Sequence, residues 1–193
     1  MLILGLTGGI ATGKSTVSKI LSQAPYYIPI IDADIIARRV VEPGTRGYKQ
    51  IIAHFSSLTP DLLMSSSENL NYDISKGAPL NRAALGQCVF GEAEQCRKNR
   101  SMLNSIVHPA VRREIIKEVL KAYICGHWIV VLDVPLLFEG GLDILCAAVM
   151  VVAVRDPQVQ MKRLLHRDPH LSHIDAENRV LSQENLQEKV KRC

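Results

Sequence analysis

Residues 2–16 set a loop of fixed chemistry between a strand pattern and a helix pattern, and this limits the possible folds more than any other part of the chain. Leu2-Ile3-Leu4-Gly5-Leu6 is apolar at nearly every position, as in a strand buried on both faces. Gly8-Gly9-Ile10-Ala11-Thr12-Gly13-Lys14-Ser15 follows and matches G-x-x-x-x-G-K-[ST]. Val17, Ile20 and Leu21 then share one face of a helix. Such a loop folds its backbone N–H groups inward around phosphate oxygens, and the helix that starts there adds roughly half a positive elementary charge. Lys14 brings a full charge to the β- and γ-phosphates, and Ser15 offers a hydroxyl to Mg²⁺. Thr16 stands either at the α-phosphate or on the helix surface. The motif implies ATP or a related triphosphate but not the reaction, since GTPases, ATPases and small-molecule kinases share it. No Asn/Thr-Lys-x-Asp guanine-reading motif occurs, which counts against a GTPase.

The rest of the chain alternates in the same way. Residues 28–31, 129–132 and 147–154 read as further buried strands. Helical patterns run over 35–41, 80–90, 93–122, 158–167 and 175–187. The pattern over 93–122 carries a break at His108-Pro109, with Pro109 suited to the first position of a new helix. Apolar strands alternating with helices predict an α/β fold with a mostly parallel sheet. Residues 56–79 are rich in Ser and Asn, with Pro60, Gly77 and Pro79, and read as a surface insertion. The 193 residues suit one domain, with a core over 1–55 and 127–193 and a helical subdomain over 80–126.

Composition excludes several classes. Apolar residues at 47% and charged residues at 22% rule out a disordered or fibrous chain. The net charge of +4 suits a protein that handles anions but defines no nucleic-acid surface, and none is expected. Residues 97–121 carry seven Lys or Arg against Glu114 and Glu118, either a solvated helix face or an anion-facing surface. The five cysteines form no Cys-x-x-Cys pair, so no protein-held zinc is expected. The longest apolar run, 142–154, is too short to span a bilayer, and the N-terminus lacks a basic leader. A cytoplasmic protein without a membrane span is the expectation.

Several side chains are placed to act on the triphosphate or its acceptor. Asp32 and Asp34 follow the second strand, at the edge where ligands of open α/β sheets bind. Either could hold Mg²⁺ through water or take a proton from a hydroxyl, while Asp34 could instead cap a helix. Arg38 lies one turn on and could pair with Asp34 or face a phosphate. Asp133 ends the third strand, at the usual metal-binding position, or serves as a turn residue. Arg163 and Arg167, four apart, project from one helix face, as lid arginines or as a solvated face. His108 is a packing or capping residue, or a substrate contact.

Taken together these segments resemble the dephospho-CoA kinase family. The matching pieces are Leu6 to Thr16, Ile31-Asp32-Ala33-Asp34-Ile35-Ile36-Ala37-Arg38, Glu42-Pro43-Gly44, Leu80-Asn81-Arg82, Leu85-Gly86, Val89-Phe90, His108-Pro109, Asp133 to Glu139 and Gln160 to Asp168. The resemblance implies a P-loop fold like that of nucleoside-monophosphate kinases, with a helical acceptor-binding subdomain and a lid. It implies transfer of the ATP γ-phosphoryl group to the ribose 3′-hydroxyl of dephospho-CoA, the last step of coenzyme A synthesis. It makes residues 8–16 the ATP site, with Lys14 and Arg167 catalytic, Asp34 the base, Arg163 a phosphate contact, and Ser15 and Asp133 the Mg²⁺ ligands. It makes Asp32, Arg38, Arg82 and His108 acceptor contacts. Other enzymes of coenzyme A synthesis are possible partners. The family continues past the lid with another strand and a C-terminal helix, which this sequence is expected to lack. Another P-loop nucleoside or nucleotide kinase, or an impaired form acting within a coenzyme A-synthesising complex, are the alternatives.

Overall fold

The computed structural model describes residues 1–64, 77–91, 93–154, 156–168, 170 and 176. The chain forms two compact units, one of Met1–Asp32 with Glu118–Cys193 and the other of Ala33–Lys117. This division places residues 33–55 with the helical unit, where the sequence reading put them in the core.

The first unit is built on four parallel strands: β1 (Leu2–Gly8), β2 (Ile30–Asp32), β3 (Ile129–Asp133) and β4 (Ala148–Val152), in the order β2-β3-β1-β4. β2 and β3 are neighbours, while β1 lies between β3 and β4, and since every pair is parallel each connection must cross over rather than turn back as a hairpin. Leu6, Val130, Val131 and Leu132 are wholly buried, which explains their unbroken apolar sequence. Each such side chain stabilises the fold by about 1.5–3 kcal/mol through burial. Helix α1 (Lys14–Ser22) follows β1 through the glycine-rich loop. Helix α6 (Pro157–Arg167) follows β4. Its start is fixed by Asp156, whose side chain accepts from the Gln158 N–H, with Pro157 at the first helical position.

The second unit is helical, with α2 (Ala33–Arg39), α3 (Arg46–Phe55), α4 (Arg82–Val89) and α5 (Glu94–Ile124), the last continuing beyond Lys117. Its core is formed by Tyr48, Ile51, Phe55, Leu62, Leu80, Leu85, Val89 and Ile106. Helix α3 has no counterpart in the sequence reading, although its signals are present. Thr45 caps it by accepting from the Tyr48 N–H, and Tyr48, Ile51 and Phe55 fall on one buried face.

Two expectations are corrected here. The helix over 94–124 is unbroken, with Pro109 inside it. Pro109 cannot donate to the Ser105 carbonyl, a defect worth about 3 kcal/mol or more in an isolated helix. Buried Ile106 and Ile115 anchor the helix on either side of that defect. The segment 56–79 is not surface loop throughout, since Leu62 is in the core and Thr59 is buried. Its two feet pair with each other, Met64 N–H donating to Pro79 O at 2.9 Å and Asn81 N–H to Leu62 O at 2.8 Å. Tyr48 Oη donates to Ala78 O at 2.6 Å and fastens the second foot to α3. The expected helix over 175–187, apart from residue 176, and most of the polar lid segment 168–175 lie outside the described residues.

Candidate active site

The phosphate loop joins β1 to α1, and its shape follows from the residues that cannot be otherwise. A Cβ on Gly8 would lie 2.6 Å from Val152 O and 2.9 Å from Thr12 Oγ1, so only glycine lets β1 pair with β4 there. Gly13 has φ +98° and takes the cap position of α1, where an L side chain is strained. Ala11 also has positive φ, 56°, a strain of roughly 1–3 kcal/mol held at the top of the loop. Thr12 Oγ1 donates to Gly9 O at 2.9 Å, tightening the turn from within. Thr7 Oγ1 donates to Pro135 O at 2.9 Å, fastening the end of β1 to the segment beyond β3. Ser15 and Thr16 are exposed in the opening turn of α1.

Lys14 and Asp133 meet in an ion pair, the Lys14 ammonium donating to Asp133 Oδ1. Asp133 is almost wholly buried and Lys14 largely so. Asp133 is in register with Leu6 on one side and with Asp32 on the other, so both carboxylates stand at the C-terminal ends of adjacent strands. Adjacent strands lie about 4.8 Å apart. Arg163 of α6 brings its guanidinium to the loop, with Nη1 3.9 Å from where a Gly13 Cβ would be. Gln160, one turn earlier on α6, is buried and donates Nε2–H to Ile10 O at 2.7 Å. This bond ties the Ile10 carbonyl to α6. Arg167 is exposed and pairs with Asp168 at 3.0 Å.

The helical unit holds a cavity of about 460 Å³. Asp34 and Arg38 reach it from α2, and Arg82 from the first residue of α4. Asn81 fixes that end of α4 by accepting from the Ala84 N–H at 3.1 Å. The floor is apolar, with Ile51, Leu80, Leu85, Leu103 and Val107. A concave apolar floor with a few convergent charges is the usual form of a small-molecule site. Asp34 lies within the first turn of α2, not ahead of it.

Of the residues expected from sequence, the first unit brings together residues 8–16, Asp133 and Arg163, with Asp32 in register beside Asp133. The second brings together Asp34, Arg38 and Arg82. His108 is exposed beside Val107 and is not among the residues lining the cavity. The role of Gln160 was not foreseen. Its spacing of three and seven from Arg163 and Arg167, on one helix face, was the available signal.

Comparison with known proteins agrees with this arrangement. The family model described as CoaE, dephospho-CoA kinase, matches residues 2–193. The dephospho-CoA kinase CAB5 of Saccharomyces cerevisiae is 45% identical over 192 residues, covering 100% of this chain and 73% of that protein. The solved structure of TT1252 from Thermus thermophilus superposes with a TM-score of 0.74 at 28% identity, covering 100% of this chain and 85% of that one. The dephospho-CoA kinase from Campylobacter jejuni superposes with a TM-score of 0.63 at 26% identity, covering 99% and 84%. A parallel sheet carrying a phosphate loop, a helical unit with its own charged cavity, and a match along almost the whole chain place this protein in the dephospho-CoA kinase family.

Proposed function

We propose that this protein transfers the γ-phosphoryl group of ATP to the ribose 3′-hydroxyl of dephospho-CoA, giving coenzyme A and ADP. The observation that carries this reading is the pair of differently built sites. One is a phosphate loop with Lys14 and Arg163 at it. The other is an apolar-floored cavity edged by Asp34, Arg38 and Arg82. The first suits a triphosphate and the second an alcohol that carries phosphate and a heterocycle.

In this reading the loop N–H groups and Lys14 hold the β- and γ-phosphates, with Lys14 exchanging its Asp133 partner for phosphate oxygens. Asp34 accepts the proton of the 3′-hydroxyl as its oxygen attacks the γ-phosphorus and the bond to the β–γ bridging oxygen breaks. Arg163, joined by Arg167, offsets the charge that spreads over the transferred group. Arg38 and Arg82 hold the pyrophosphate of the acceptor, and Asp32 orients the approach beside Asp133. Ser15 and Asp133 would hold Mg²⁺, and they fit it, being hard oxygen donors of the kind that leave most of its shell to water and phosphate. When bound, that ion would supply positive charge to offset the negative charge of the phosphates. Work in the cytoplasm, in company with other enzymes of coenzyme A synthesis, belongs to the same proposal. No helix among the described residues is long and apolar enough to cross a membrane.

The test is an ATP-dependent phosphorylation assay with dephospho-CoA, adenosine and AMP offered separately. Product from dephospho-CoA, with the new phosphate located on the 3′-oxygen by ³¹P NMR, is expected. No product from dephospho-CoA, with turnover of another acceptor, would instead assign the chain to a different nucleoside or nucleotide kinase activity.

A further inference from the structure

The helical unit has a second cavity, of about 340 Å³, that shares no lining residue with the acceptor cavity. Arg39 from the end of α2, Arg46 from the start of α3, and Arg113 and Lys117 from α5 all line it. One carboxylate, Glu114, faces these four cations. Glu114 is engaged by Lys117 at 2.9 Å and by Arg39 at 3.7 Å. Arg46 and Arg113 therefore have no acidic partner among the described residues. Three helices thus bring a surplus of positive charge to one concavity, and two of its guanidiniums have no acidic partner among the described residues.

We infer that this cavity is a binding site for a phosphate-bearing small molecule, distinct from the ATP loop and the acceptor cavity. Guanidinium groups offer paired N–H donors that match two phosphate oxygens at once. The volume is at the lower end for small-molecule sites and suits a pyrophosphate or a nucleotide-sized polyanion. Arg46 and Arg113 supply the direct contacts, while Lys117 and Arg39 hold Glu114 back from them. The inference stands apart from the catalytic reading, since none of these residues is placed in the reaction.

The experiment follows the arginine Nε–H resonances by NMR in the full chain, titrated with pyrophosphate in about 0.15 M salt. A saturating non-hydrolysable ATP analogue keeps the phosphate loop occupied. Saturable shifts of Arg46 and Arg113, with an apparent Kd below a millimolar, are expected. The double variant Arg46→Ala/Arg113→Ala should weaken binding at least tenfold, with kcat and both KM values within twofold of wild type. Glu114→Gln should tighten it severalfold. Coenzyme A titrated in the same way separates the sources of the ligand. Tighter saturation than by pyrophosphate assigns the site to a nucleotide-borne phosphate, and weaker saturation assigns it to the free anion. Shifts that rise linearly without saturating, or an affinity unchanged in the double variant, would overturn the inference.

Discussion

Replacing Gln160 by leucine tests whether helix α6 shapes the phosphate loop or merely packs beside it. The side chain is 6% exposed, and its amide donates to Ile10 O at 2.7 Å. Leucine keeps most of the volume and removes the donor. A buried carbonyl that loses its partner costs about 1–3 kcal/mol, and Ile10 is only half-buried, so about 1–2 kcal/mol is the reasonable share. If that cost falls on the loop conformation that receives phosphate, ATP binding weakens by roughly 5- to 30-fold. The expected result is a KM for ATP raised by that factor, with kcat and the KM for dephospho-CoA changed less than threefold. Gln160→Glu should be worse, because it places a carboxylate against both the carbonyl and the incoming phosphates. Steady-state kinetics with each substrate varied reads these quantities, and thermal unfolding reads the structural share. A fall in Tm with an unchanged KM for ATP would refute the reasoning and make Gln160 a packing residue.

Other outcomes follow from the same geometry. Gly8→Ala puts a Cβ 2.6 Å from Val152 O, a clash with backbone that should cost about 1–3 kcal/mol in chemical denaturation. An unchanged midpoint would count against the packing described for β1 and β4. Arg38→Ala and Arg82→Ala should each raise the KM for dephospho-CoA about tenfold and leave that for ATP alone. A larger effect on ATP would move both residues out of the acceptor site. Burial, and secondarily the negative charge of Asp143, pushes the Cys146 thiol up from 9.0 to about 11. At pH 8 it should therefore label with iodoacetamide far more slowly than exposed Cys125, as peptide mapping would show. The folded state holds this proton more tightly than the unfolded state. The contribution to stability is therefore full below pH 9 and lost as pH rises toward 11. Equal labelling rates for the two cysteines would contradict the burial.

Much of the first unit was legible because its constraints are local. The loop over 8–15 carries its own spacing, and strands buried on both faces advertise themselves as apolar runs. The pairing of Lys14 with Asp133 spans 119 residues, yet Lys14 was marked by the loop motif and Asp133 by its place at the end of a strand. The bond from Gln160 to Ile10 was not legible, because a glutamine on a helix gives no sign of which carbonyl it will meet 150 residues away. Helix α3 is harder to read, since only Tyr48, Ile51 and Phe55 of its ten residues form the apolar face and the turn Glu42-Pro43-Gly44 stands just before its cap. Pro109 misled for a definite reason. Local preference says that proline starts a helix, whereas packing of Ile106 and Ile115 carries this helix straight through it. In the larger cavity of the helical unit Asp34, Arg38 and Arg82 had been named from sequence, but Ile51, Leu103 and Val107 had not. Apolar residues on amphipathic helices look alike until the packing shows which of them face a cavity.

The proposed role of Asp34 as the base joins the fold to the chemistry, and one measurement tests it most directly. The single-turnover rate of Asp34→Asn would be determined with ATP and dephospho-CoA both saturating, alongside equilibrium binding of each. If Asp34 accepts the hydroxyl proton, the rate falls by roughly 10²- to 10⁴-fold while both dissociation constants stay within threefold. A rate within threefold of wild type would contradict the account, returning Asp34 to a structural place in the first turn of α2.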